Sequence, residues 1–421
     1  MSSSCRKFQA RLFLDGQILG ATVIALCSQG VLAAETYFEP MVSALVDYNT
    51  NRNLEVDEAL EDPIVSYRGI LQGTWGYTTE TGGIIFRPRV DFLRYQDRDD
   101  LDRTEEYIDL RSTRSTQKSD FKLIGRYSRR DIFNSDLAEA EFNELDPDDP
   151  SIPESGGAIA AGTSRAHFQV RPEYSYRISQ RTGIGARLIA EATRFDVEIP
   201  NQHVDFDFLL AGITMSRALS PRTRFALVPY VSQFETRDDI NRNDSVGIDA
   251  SWNRALSENL DLRLSLTVEH SEVEIRDEIT GEVTQEANST DYGPAILITR
   301  EDEVGSLRFS IGRFFTPTNR GGKSVVDQLR LQYNRNIGER LSMTVAVRGF
   351  RSRIQGDILG VGGTDYDYAR GEVGLRWALT RTWFLAGGYN YTWRDLELEQ
   401  GSAVNNAVFI AFGYRGRGSR T

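Results

Sequence analysis

The sequence predicts an all-β fold: a closed antiparallel transmembrane barrel of eighteen strands. Three observations carry this. Apolar and polar residues alternate strictly through segment after segment, the segments are joined by alternately short and long connections, and no apolar run is long enough for a membrane helix. Alternation at period two is the mark of a strand, since successive side chains point to opposite faces. The clearest case is Gly371 to Trp393. Val373, Leu375 and Trp377 alternate with Glu372, Gly374 and Arg376; after Leu379-Thr380-Arg381-Thr382, Trp383, Leu385, Tyr389 and Tyr391 alternate with Phe384, Ala386, Asn390 and Thr392. Four residues between strands leave room only for a tight antiparallel hairpin. One face is apolar and the other polar, as in a wall with lipid outside and water inside.

The bulk numbers are compatible with this. The chain has 421 residues, 40% hydrophobic and 26% charged. Such a length ordinarily means two or three soluble domains, but one large closed sheet absorbs it. A membrane-spanning helix needs about 18 or more apolar residues in a row, and a barrel strand needs only every second one. Arg6, Lys7 and Arg11, followed by the apolar Ile18–Leu26 and the small residues around Ala33 and Ala34, have the layout of a secretory signal peptide. The expected division is therefore 1–34 as signal and 35–421 as one barrel domain. Both cysteines, Cys5 and Cys27, fall in the signal, which excludes a disulfide framework or a cysteine metal site from the mature chain. Loss of residues 1–34, whose charges sum to +2, takes the formal charge from -12 to about -14. That balance argues against nucleic acid as a partner. Lysine occurs only at 7, 118, 122 and 323, so nearly all positive charge is arginine, whose planar fork suits pairing with carboxylates on a crowded wall.

Taken in order, strands are expected at about 41–49, 66–77, 85–94, 104–114, 121–132, 164–177, 183–195, 205–218, 224–235, 244–254, 261–275, 291–299, 305–315, 324–335, 341–352, 365–378, 383–393 and 404–415. Glu35–Pro40 reads as a stub before the first. Pro88, Pro172, Pro229 and Pro294 lie inside good alternation, and each predicts weakened pairing or a bulge. Every second connection is short, as in Ser179-Gln180-Arg181-Thr182, Ser220-Pro221-Arg222-Thr223 and Ile337-Gly338-Glu339-Arg340. The others are longer and acidic, the extreme being Asn134–Thr163 with eight acids and no base. Short turns on one rim and long loops on the other are the periplasmic and extracellular ends of an outer-membrane barrel. Tyr176, Trp252, Tyr333, Trp377 and Trp383 beside the short turns suit an interfacial girdle. Val408, Ile410, Phe412 and Tyr414 give the last strand the look of an outer-membrane assembly signal, here followed by Gly416–Thr421.

Together with the Ser/Thr-Arg-Thr turns, the FRPRVDFLRY and FQVRPEYSYR strands and the AFGYR ending make the chain resemble the outer-membrane family known as β-barrel porin 2. Several members of that family accompany exopolysaccharide export, and the resemblance implies passive translocation of such a polymer with a periplasmic export partner. The residues themselves also allow a general diffusion porin for small anionic solutes, or a non-conducting structural or adhesin barrel. Lipid, lipopolysaccharide and the barrel-assembly machinery are the expected partners, with no cofactor and no metal.

Alternation also assigns the water-facing wall. Its bases are Arg68, Arg87, Arg89, Arg111, Arg126, Arg171, Arg187, Arg263, Arg308, Arg330, Arg348, Arg370 and Arg376; its acids are Asp91, Asp109, Glu173, Glu191, Asp249, Glu269 and Glu372. The wall is thus arginine-rich in an acidic chain. These groups either pair across strands and stiffen the wall, or together make a lumen that attracts anions. Catalysis is not expected. Of the three histidines, His203 falls in an outer loop, and His167 and His270 fall near outer strand ends. His270 and Ser271 are strand neighbours and so face opposite sides. No GxSxG, HExxH or phosphate-loop pattern occurs.

Overall fold

The structure is a computed structural model. It describes residues 34–418 except 53, 55, 57–62, 132–163, 197–203, 238–239, 278–279, 281, 318–322, 356–364, 397–400 and 417. The expected signal segment, His203 and the Asn134–Thr163 loop lie outside the described residues.

Eighteen antiparallel strands form one sheet: β1 (Glu35–Asn49), β2 (Ile64–Thr79), β3 (Gly82–Tyr95), β4 (Arg103–Ser115), β5 (Ser119–Asp131), β6 (Ser164–Arg177), β7 (Thr182–Phe195), β8 (Phe206–Ser220), β9 (Thr223–Thr236), β10 (Asn241–Ala255), β11 (Leu260–Arg276), β12 (Val283–Asp302), β13 (Gly305–Pro317), β14 (Lys323–Asn336), β15 (Leu341–Gln355), β16 (Tyr366–Ala378), β17 (Trp383–Leu396) and β18 (Ser402–Arg415). Each pairs with the next, and β18 pairs with β1 from Met41↔Arg415 to Asn49↔Ala407, so the sheet closes without an edge. Following paired residues once round displaces the rung by roughly 22 residues along the strand. With eighteen strands at ordinary spacing this means a tilt of about 40° and a backbone radius of about 18 Å.

The outer face is identified by its apolar side chains. Val42 and Val46 on β1, Leu71 and Trp75 on β2, Val246 and Ile248 on β10, and Val408, Ile410 and Phe412 on β18 are all exposed. In water this would be an untenable surface; in lipid it is the band that holds a barrel in place. Tyr176, Trp377 and Trp383 stand exposed near the short-turn end of that band. Above it, outward ion pairs such as Arg313–Asp327 and Arg351–Asp367 mark where the wall passes into headgroups and water.

Two of the short turns share one local device. A hydroxyl at the start of the turn accepts from backbone N–H groups two and three residues on: Ser179 from Arg181 and Thr182, and Thr380 from Thr382 and Trp383. This explains the repeated Ser/Thr at that position.

Two expectations need correction. Glu35–Pro40 is strand rather than stub, pairing with β2 from Glu35↔Thr78 onward, and β12 starts at Val283 rather than 291. The β12 extension lies past the apolar band, where a strand has no lipid to face and so no alternation to show, whereas Glu35–Pro40 sets Phe38 outward, opposite Trp75 of that band. The prolines also behave more simply than expected. Pairs are missing beside Pro88 towards β2, beside Pro172 towards β7 and beside Pro229 towards β8, and the β12–β13 ladder stops at Pro294. No bulge accompanies them, and Pro88 keeps its place opposite Ile108 on its other side. In an antiparallel strand a residue bonds towards one neighbour only, so the missing N–H interrupts a single ladder.

Candidate functional site: the inner wall

The register places every one of the twenty wall residues named above on the face opposite the apolar band. On β3 to β7 they sit in rungs of mixed sign. Arg87 lies across from Asp109, which lies across from Arg126. Arg111 and Arg171 flank Ile124. Glu173 lies across from Arg187, and Gln169 from Glu191. Arg89 grips Asp91 with two bonds of 2.7 Å, Arg68 approaches the same carboxylate at 4.0 Å, and Arg171 bonds Glu173 at 2.6 Å. Gln169 links Arg126, at 3.3 Å, to Glu191, at 2.6 Å. Charge-assisted bonds of this length are among the stronger ones a protein makes. This sector is a braced wall.

The next sector differs. β8 and β9 carry no inward carboxylate, and Tyr230 on β9 donates to Glu269 on β11 at 2.7 Å. Asp249 sits across from Thr267, Glu269 across from Asp291, and Arg263 is lower on β11 opposite Asn253. This part of the wall is acidic.

The third sector is basic again, and its bases are juxtaposed. Arg330 on β14 lies directly across from Arg348 on β15, which lies directly across from Arg370 on β16. Arg308 lies opposite Gln332, and Arg376 lies opposite Ala386, its guanidinium 3.9 Å above the Phe384 ring. Glu372, opposite Asn390, is the one inward acid described on β13 to β17 and bonds Arg370 at 3.3 Å. Like charges directly opposite one another weaken a sheet by a few tenths to about 1 kcal/mol a pair. A fold tolerates that where the arrangement serves something besides folding.

Inward side chains of an eighteen-strand wall would stand in water if the bore were empty. Arg348 is only 4% exposed and Arg330 7%, so both side chains are covered by neighbouring groups. Nearer the long-loop end the inward face turns apolar and is buried: Val326, Phe350 and Tyr368 form one cluster, and Ile64, Leu93, Tyr95 and Leu101 another.

Several inward groups were missed by alternation alone. Glu105, 2% exposed, and Tyr107 share the face of Asp109, with Tyr107 donating to Glu105 at 2.8 Å. Glu105 stands at a strand end beside Glu106, where two consecutive acids give no alternation to separate inward from outward. Tyr107 and Tyr230 were missed because an alternating tyrosine is equally at home in an interfacial girdle. His167 points inward, with Nδ1 3.1 Å from Thr193 Oγ1, and His270 points outward, 2.9 Å from Thr290 Oγ1. Ser271 turns inward to Glu269, away from His270.

No family model matches the chain, and no curated protein does. The resemblance to β-barrel porin 2 therefore gains no support, and neither does the export of a polysaccharide inferred from it. Among solved structures the chain is similar to OccAB3 of Acinetobacter baumannii, with TM-score 0.44, 12% identity, and 90% of this chain and 99% of that one covered. It is similar also to OccK1 (OpdK) of Pseudomonas aeruginosa, with TM-score 0.43, 11% identity and coverage of 92% and 100%. OccK2 (OpdF) of the same organism gives TM-score 0.43, 12% identity and coverage of 92% and 99%. At these scores the likeness says nothing of what crosses this wall.

Proposed function

We propose that the chain is a passive outer-membrane channel for small anionic solutes. The observation that carries this is the inward rung Arg330–Arg348–Arg370, three guanidinium groups directly across from one another on adjacent strands. Adjacent guanidinium groups raise the local potential and lower the cost of bringing an anion out of bulk water. In this reading the β3–β7 network stiffens the wall and the acidic sector on β10 to β12 sets a field across the bore. Outer-membrane lipid and lipopolysaccharide surround the apolar band, the barrel-assembly machinery inserts the chain, and the signal segment brings it to the periplasm.

Reconstitution into planar bilayers under a salt gradient tests the reading. The expected result is discrete conductance steps with a reversal potential on the anion side. Cation selectivity overturns the choice of solute, and a silent bilayer favours a non-conducting structural barrel.

A further inference from the structure

The rim at the short-turn end is uneven in charge. Residues 178–182, 217–224 and 254–257 contain Arg181, Arg217, Arg222, Arg224 and Arg254 and no acid, whereas Glu258 and then Glu301-Asp302-Glu303 follow further round. Two backbone ties gather these arginines. Ala218 N donates to the Arg181 carbonyl at 2.7 Å, which sets the β6–β7 turn beside Arg217. Ala255 N donates to the Arg222 carbonyl at 2.9 Å, which sets the β8–β9 turn beside Arg254. Arg217, Phe225 and Trp252 form one outward rung across β8, β9 and β10. Arg254 takes the next outward position of β10, its guanidinium 6.0 Å from the centre of the Trp252 ring. Arg181, Arg217, Arg222 and Arg254 are exposed, and so are Met215 and Leu219 on either side of Arg217 and Leu256 beyond Arg254.

Neighbouring strands do not neutralise these charges. Arg217 lies across from Thr182 and Phe225, and Arg254 across from Thr223 and Leu262. Among the described residues none of the four arginines forms an ion pair. At the long-loop end of the same part of the wall the outward bases are paired: Arg194 bonds Asp207 at 2.6 Å and Arg242 bonds Asp244 at 2.9 Å. Further round the short-turn rim, Arg300 approaches Asp302 at 3.3 Å. A guanidinium among lipid-facing apolar side chains keeps its charge, and its planar fork matches the oxygens of a phosphate. Its stem can follow the apolar surface while the head reaches the headgroup layer. A zwitterionic headgroup brings its own ammonium with each phosphate and leaves the arginines uncompensated; a headgroup of net negative charge does not.

We infer that Arg181, Arg217, Arg222 and Arg254 form a site for the headgroup phosphate of an anionic phospholipid in the periplasmic leaflet, with Phe225, Trp252 and Leu219 against its upper acyl chains. The site stands whether or not the barrel conducts. Native mass spectrometry of the full-length protein in detergent, titrated with dioleoylphosphatidylglycerol or dioleoylphosphatidylethanolamine, tests it. The parent is expected to bind the first phosphatidylglycerol about tenfold more tightly than phosphatidylethanolamine. Arg181→Gln, Arg217→Gln, Arg222→Gln and Arg254→Gln together should remove that preference. Arg300→Gln, Arg335→Gln, Arg340→Gln and Arg381→Gln together take the same charge from the rest of the rim and should keep it. Heat-modifiable gel mobility checks that each barrel is folded, and Arg217→Gln with Arg254→Gln serves where the fourfold change does not fold. Equal affinity for the two lipids in the parent overturns the site, as does a preference that survives in the folded variant or falls equally in the control. Displacement of the bound lipid by glycerol phosphate in solution overturns the lipid as occupant.

Discussion

Arg348 stands directly across from Arg370 on the neighbouring strand, and on its other side it faces Arg330. The sheet accepts this juxtaposition at a cost, and in the proposed channel it supplies a concentrated positive potential on the inner wall. Replacing Arg348 by Glu converts the rung from +3 to about +1, by removing one positive charge and adding one negative. The anion-to-cation permeability ratio is expected to fall several-fold. Reversal potentials in a salt gradient read it directly, and an unchanged ratio removes the rung from the conduction path. Arg111→Glu, in the braced sector, is expected to move the ratio much less.

Tyr230 and Gly247 form a second coupled pair. Gly247 lies directly across from Tyr230, and a Cβ there would meet the ring at 2.4 Å. The ring therefore lies over the glycine, and from there its hydroxyl reaches Glu269. A hydrogen bond to a charged group contributes roughly 1.5–3 kcal/mol. Tyr230→Phe removes the bond and Gly247→Ala moves the ring off it, so each is expected to destabilise the barrel by an amount of that order. The two changes break one interaction, so together they should cost clearly less than their sum. Denaturant midpoints for folding into lipid vesicles test this; full additivity separates the pair.

These cases show what alternation can and cannot reveal. Val373, Leu375 and Trp377 declare their strand because lipid outside and water inside impose opposite demands on successive residues, and the same rule places Arg348 and Arg370 on the inner wall. It does not reveal that they are neighbours across strands, which depends on turn lengths summed around the barrel. It is silent on Asn51, Arg52 and Leu54, which have no periodic neighbours and take their places from Asn405, Tyr95 and Arg394, remote in sequence. The start of β12 gives no signal for a related reason: Val283 to Asn288 stands beyond the apolar band, so its outward residues need not be apolar.

The outer rim carries a pH-sensitive clasp. Asp196, just past β7, accepts from the Ser164 hydroxyl and from Arg129 Nη2, the latter at 3.1 Å, while its own N–H donates to the Ser164 carbonyl. The Ser164 bond foremost, with Arg129 adding to it, holds this carboxyl below the usual carboxylate range. The sign follows from linkage: a carboxyl that is more acidic folded than unfolded stabilises the fold above its unfolded value, about pH 4. That contribution is lost as pH falls through the lower, folded value. Amide exchange at Asp196 is therefore expected to accelerate, beyond the intrinsic rate change, as pH drops below about 4. In Asp196→Asn that pH dependence should disappear; if it persists, another group titrates.

The last prediction concerns the short turns. Thr380 Oγ1 accepts from Thr382 N at 3.2 Å and from Trp383 N at 3.0 Å, fixing the chain reversal that sets Trp377 and Trp383 on the same face. The turn is exposed, so water can replace the hydroxyl, and the cost of Thr380→Ala is expected to be modest, about 0.5–1.5 kcal/mol. Thr380→Ser keeps the acceptor and should recover most of it. The kinetic consequence is sharper. A hairpin loses little entropy in closing, so its turn can form early, and a weakened turn then slows folding more than it speeds unfolding. Folding and unfolding rates into short-chain lipid vesicles, compared for Ala and Ser at 380, separate the two cases. Equal folding rates with faster unfolding would mean that this hairpin forms late, after the strands around it have already paired.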